Sequence, residues 1–133
     1  MNNYISVSNN ETYRTIDEAF EKVFSSKNPQ PMKGCFEPLP SFAGTELAGC
    51  HIWFPKLKPN DANWDNQLIG DKIVSKNANG KGKAVKGQKN IAFTHTGKEY
   101  VFAGIFELKT IDGDGTEHWE KINDKCLVIG RQK

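Results

Sequence analysis

Tyr100-Val101-Phe102-Ala103-Gly104-Ile105-Phe106-Glu107-Leu108 carries one charged residue in nine. Strand alternation sets Tyr100, Phe102, Phe106 and Leu108 on one face, with Gly104 in phase, and Val101, Ala103 and Ile105 on the other. Both faces are apolar as far as Glu107, so the segment is predicted to be a central strand covered on both sides.

Just before it, Ile91-Ala92-Phe93 reads as a strand joined to it by the turn at Thr96-Gly97-Lys98. Asp112-Gly113-Asp114-Gly115 is a tight-turn signal of the kind that joins antiparallel strands. Thr116 to Ile122 and Cys126 to Ile129 supply the last strands, separated by a turn at Asn123-Asp124-Lys125.

Toward the N-terminus, Cys50-His51-Ile52-Trp53-Phe54 reads as a short buried strand closed by Pro55. Gln67-Leu68-Ile69 and Lys72-Ile73-Val74 form short strands or one irregular segment. Residues 29–40 contain four prolines and read as a connector. Before them, Thr15 followed by Glu18 has the capping-box form, and Ile16, Ala19, Phe20, Val23 and Phe24 recur at helical spacing. Residues 1–11 read as a frayed terminus or a short edge strand containing Tyr4, Ile5 and Val7.

Strands outnumber helices and most connections in the second half are short. The expected architecture is an α+β single domain over residues 1–133. It is a mainly antiparallel sheet, curled or closed into a small barrel, with an N-terminal helix.

Charge is distributed unevenly. Between residues 72 and 98 there are seven lysines and no acid, whereas residues 99–127 carry seven acids against three lysines. The formal net charge of +2 is therefore the remainder of two opposed regions. A basic segment on a β domain suggests a polyanion as partner; the competing reading is compensation within the molecule, with lysines folded back on acidic strands. Residues 76–89 are expected to form a mobile basic loop, because Asn77-Ala78-Asn79-Gly80-Lys81-Gly82-Lys83 offers little to bury.

No stretch approaches the roughly 20 apolar residues of a membrane span, and residues 1–4 do not open a leader pattern. The expected location is cytoplasmic, with no membrane partner. The three cysteines, Cys35, Cys50 and Cys126, show no framework spacing and read as small buried apolar groups.

Ile52-Trp53-Phe54-Pro55-Lys56, Asn63-Trp64-Asp65-Asn66 and Tyr100 to Glu107 together resemble small domains of the PUA-like superfamily. The likeness is to the EVE and SRA-like readers and to uncharacterised domains beside prokaryotic defence nucleases. It runs over roughly residues 48–130. It implies a small β-barrel with flanking helices and binding of RNA or of modified bases in DNA. It also implies an aromatic pocket that holds a base, in some members after flipping, and a nuclease or other protein as a separate partner.

On that resemblance Trp53, Trp64 and Trp119 are the available platforms, with Tyr100 a further one. Stacking on one indole contributes roughly 1–3 kcal/mol and extracting a base costs a few, so edge hydrogen bonds are needed as well. Asn63, Asp65 and Asn66 lie beside Trp64 and offer donors and acceptors; the same composition also fits an ordinary turn with Trp64 packed as a lid. Trp53 has a competing core reading, against the barrel interior or against Phe20 and Phe24. Trp119 shares a face with Glu117 and Lys121 and is expected to be at least partly exposed. Lys76, Lys81, Lys83, Lys86 and Lys89 are expected to meet phosphates, and with only Arg14 and Arg131 in the chain, bidentate reading of guanine is nearly unavailable.

Enzymatic signals are weak. His51, His95 and His118 lack metal-ligand spacing relative to the cysteines. Asp65, Asp71, Glu99 and Glu107 are candidate magnesium ligands, and Glu107-Leu108-Lys109 has an acid-x-Lys form, but no spacing singles them out. No catalytic residue, metal or cofactor is expected. The reading is a noncatalytic nucleic-acid-binding module; the alternatives are a protein-interaction or inhibitory module and, behind it, a metal-dependent nuclease.

Overall fold

The computed structural model describes residues 3–30, 34–57, 64–77 and 84–129. Their strands are β1 (Tyr4–Ser6), β2 (Thr12–Tyr13), β3 (Cys35–Phe36), β4 (His51–Trp53), β5 (Trp64–Ile69), β6 (Lys72–Asn77), β7 (Lys89–His95), β8 (Tyr100–Ile111), β9 (Glu117–Asn123) and β10 (Lys125–Leu127), with one α-helix, α1 (Ile16–Phe24), and short 3-10 turns at Val7–Asn9 and Pro40–Phe42.

β8 is the central strand that its sequence predicts. It pairs antiparallel with β7 and β9, and its first residues also pair with β2. Its phase differs from simple alternation. Tyr100, Phe102 and Ile105 join one apolar cluster, while Ala103, Phe106 and Leu108 join the other. The break lies at Gly104, whose φ is 121° and beside which the β7 register shifts. A bulge there changes the face presented by every residue that follows.

The sheet order is β3-β4-β7-β8-β9-β6-β5, with β3 and β5 at its two ends. This corrects the expected curled or closed barrel: no ladder joins the end strands among the described residues. Single-residue bridges, Lys56 with His95 and Leu57 with Asn66, tie the segment after β4 to β7 and β5 without making such a ladder. The sheet is mostly antiparallel, β4 with β7 being a parallel pair. β5 and β6 form a regular hairpin, and β10 leaves the main sheet to pair with β1.

Helix α1 starts as its sequence indicates: Thr15 accepts a hydrogen bond from the Glu18 backbone N–H at 3.0 Å. The Glu18 carboxylate turns to Arg14 and Lys22 instead of completing the box. Ala19, Phe20, Val23 and Phe24 are buried against Phe36, Phe42, Phe54 and Phe93. This aromatic cluster is the main core. The smaller cluster of Ile73, Ala92, Ala103, Phe106, Leu108 and Trp119 lies on the other face of the central strands.

Cys50 and Cys126 are buried as expected, whereas Cys35 on β3 is partly exposed. The expected basic loop is described at its two ends only, Lys81 and Lys83 lying outside the described residues. No helix among the described residues is long and apolar enough to cross a membrane.

Candidate nucleic-acid interface

The smaller cluster collects the chemistry. In β4 the buried Ile52 points into the main core, so Trp53 points to the other side. There its indole packs on Trp119, with ring centroids 5.0 Å apart and planes at 36°. The predicted opposition of Trp53 to Ile52 and Phe54 holds, but its partner is Trp119 and not Phe20 or Phe24. Trp53 stays partly exposed.

Trp119 is 1% exposed, which corrects its expected exposure. The polar neighbours that suggested solvent are themselves drawn inward. Glu117 is 4% exposed and takes the Trp119 Nε1 hydrogen at 3.0 Å. The Lys121 stem lies over Gly104 while its ammonium reaches Asp71 and Asp124.

Glu117 is the group that sequence reasoning missed. Burial pushes its carboxyl above the ordinary value of 4.5, and the indole hydrogen bond opposes that rise only in part. Its second oxygen has no hydrogen-bond partner among the described residues. Among the described residues no fully enclosed side-chain oxygen or nitrogen lacks a partner, so that oxygen keeps some exposure. Thr94, 2% exposed and in phase with Ala92 of the same cluster, likewise has a hydroxyl without a side-chain hydrogen bond among the described residues.

A polar row crosses three strands beside the indoles. Asn66 on β5 stands opposite Ser75 on β6, and Ser75 opposite Glu117 on β9. All are buried. Asn66 Nδ2 donates to the Lys56 carbonyl at 3.0 Å, and its Oδ1 accepts from Ser75.

The other expected residues scatter. Tyr100 belongs to the main core, its ring against Phe54 and His95, on the side away from Trp53. Asn63 and the side chain of Trp64 lie outside the described residues; the Trp64 backbone pairs with Asn77 at the start of β5. Lys76 is ion-paired to Asp114 at 3.3 Å, a partial compensation between the basic and acidic regions. The Thr116 backbone N–H holds the Asp114 carboxyl down to about 2, so that acid stays charged. Lys86 and Lys89 are exposed and make no ion pair among the described residues. Glu107 pairs with its neighbour Lys109 at 3.6 Å. No group of three or more His, Cys, Asp and Glu side chains is placed to hold a metal ion among the described residues.

A partly exposed indole backed by a buried one, next to a half-used buried carboxylate, suits a flat heterocycle with a polar edge. The family model of the SRA, or SET and RING associated, domain matches residues 1–128, and the chain belongs to that family. The resemblance to the SRA-like group is thereby borne out at the level of the family. Among solved structures, the 5-hydroxymethylcytosine-specific restriction enzyme AbaSI is similar, with a TM-score of 0.72 at 18% identity. The match covers 97% of this chain and 44% of that one, so the chain spans less than half of that enzyme's chain. No curated protein matches.

Proposed function

We infer that the chain is a noncatalytic reader that binds nucleic acid and takes an extrahelical modified base against Trp53. The observation that carries this reading is Glu117, a buried carboxyl with one oxygen fixed by Trp119, the indole that backs the partly exposed Trp53, and the other oxygen without a hydrogen-bond partner among the described residues. Burying such a group is costly unless it is paired, and a base edge supplies the missing partner.

The similar restriction enzyme is specific for 5-hydroxymethylcytosine, and DNA carrying a modified cytosine is accordingly the proposed ligand. A carboxylate beside the platform accepts from an exocyclic amine such as that of cytosine. Asn66 supports this wall from behind, its amide being committed to Lys56 and Ser75. The exposed Lys86 and Lys89 are assigned to phosphates, with Lys76, Lys81 and Lys83 of the same segment. Cleavage is assigned to a separate cytoplasmic nuclease partner.

The test is titration of the chain with duplexes that differ by a single hydroxymethylated, methylated or unmodified cytosine, at several salt concentrations. Tighter binding of a modified duplex is expected, with Lys86→Ala and Lys89→Ala together flattening the salt dependence. Equal affinity for all three duplexes would overturn the reading.

A further inference from the structure

A buried side-chain bridge joins the two walls of the site. Asn66 and Ser75 are 3% and 0% exposed, and they link the Lys56 carbonyl to the strand that faces Glu117. Lys56 follows Trp53 by only three residues, and Leu57 makes a single bridge to Asn66. One short path of hydrogen bonds therefore runs from the exit of the Trp53 strand to the wall bearing Glu117.

An apolar pair would fill the same space without taking an amide and a hydroxyl out of water. What the polar pair adds is direction, because hydrogen bonds fix distances and angles that apolar contacts leave adjustable. The need is local. β5 ends the sheet, and among the described residues its outer side meets the rest of the fold at the Leu57 bridge. The Asn66 side chain doubles that single main-chain link.

We propose that Asn66 and Ser75 are positioning residues for base discrimination: without touching nucleic acid, they fix the spacing between the Trp53 platform and the Glu117 carboxyl. This rests on the reading of Trp53 and Glu117 as base-contacting groups. A merely structural pair would alter stability and total affinity together. A positioning pair alters the ratio of affinities for modified and unmodified DNA.

The experiment measures that ratio, with thermal midpoints, for the full chain carrying Ser75→Ala, Ser75→Cys, Asn66→Ala, Glu117→Gln or Trp53→Ala, using duplexes with one 5-hydroxymethylcytosine or none. Ser75→Ala and Asn66→Ala are expected to lower the ratio about three- to tenfold, with affinity for unmodified duplex unchanged. Ser75→Cys keeps the size and loses the strong hydroxyl donor, so it should fall equally. A full ratio in Ser75→Cys or Ser75→Ala, while Glu117→Gln or Trp53→Ala abolishes it, would overturn the positioning role and leave the base reading standing. A ratio untouched by Glu117→Gln and Trp53→Ala would overturn the base reading, and this role with it. Should Asn66→Ala fail to fold, the two Ser75 variants decide.

Discussion

The Trp119 indole Nε1 donates to Glu117 Oε1 at 3.0 Å, and both side chains are buried. Burial raises the Glu117 carboxyl above 4.5 in the folded chain. In the window between the unfolded and the raised folded value, the folded state holds more protons. Stability from this group is thus complete below 4.5 and declines as pH rises through the folded value. Glu117→Gln keeps an acceptor for the indole and removes the titration. Thermal midpoints of the variant and the wild type, compared from below the ordinary carboxyl value up to neutral pH, should diverge in the variant's favour. A constant difference across that range would contradict a raised carboxyl.

Gly104 occupies a backbone conformation that L side chains rarely adopt. A Cβ there would also meet Lys121 Cδ at 2.6 Å and the Asn123 carbonyl oxygen at 2.9 Å. The lysine stem can yield, but the carbonyl is backbone. Gly104→Ala is expected to cost about 1–3 kcal/mol in denaturant unfolding, through strain and displacement of β9. A loss below ~0.5 kcal/mol, within the range of ordinary surface changes, would show that the bulge is relaxed.

Lys121 reaches Asp71 at 3.0 Å and Asp124 at 2.9 Å, tying the turn after β5 to the turn before β10. The carboxylates at Asp124 and Asp71 raise its pKa, while burial works against them. Lys121→Met retains most of the stem over Gly104. A loss of roughly 0.5–1 kcal/mol at low salt, shrinking at high salt, is expected from chemical denaturation. A loss independent of salt would assign Lys121 to packing alone.

The two stacked tryptophans should separate stability from recognition. Trp119→Ala empties the smaller cluster and is expected to cost about 3–5 kcal/mol. Trp53→Ala removes a partly exposed ring, costs roughly 1–2 kcal/mol, and erases the preference for modified DNA. Calorimetry and duplex titration on both variants check this. Retention of the preference in a folded Trp53→Ala would remove Trp53 from the interface.

Much of this architecture is legible in local sequence. The Thr15 cap, the helical spacing from Ile16 to Phe24 and the two-sided strand from Tyr100 are patterns of neighbours in the chain, and each forms where predicted. The misread features depend on partners distant in sequence. Alternation across Gly104 predicts Phe102 and Phe106 on one face, but a bulge places them in different clusters. Glu117 and Lys121 mark an exposed face by composition, yet an indole engages one oxygen of the first, and two carboxylates plus a glycine accommodate the second. Sheet closure is likewise decided by whether the end strands meet, which no local pattern records. Three tryptophans could be named as platforms from sequence; that Trp53 and Trp119 meet is a property of the folded sheet alone.

In the proposed function a modified base leaves the duplex and lodges against Trp53, near Glu117. The most direct measurement places a fluorescent adenine analogue next to a single 5-hydroxymethylcytosine in a duplex and follows its emission during titration with the chain. Unstacking of the neighbour should raise the emission with wild type, and Trp53→Ala or Glu117→Gln should abolish the rise. Saturated binding by wild type without a rise, or an equal rise with both variants, would contradict base extraction onto Trp53.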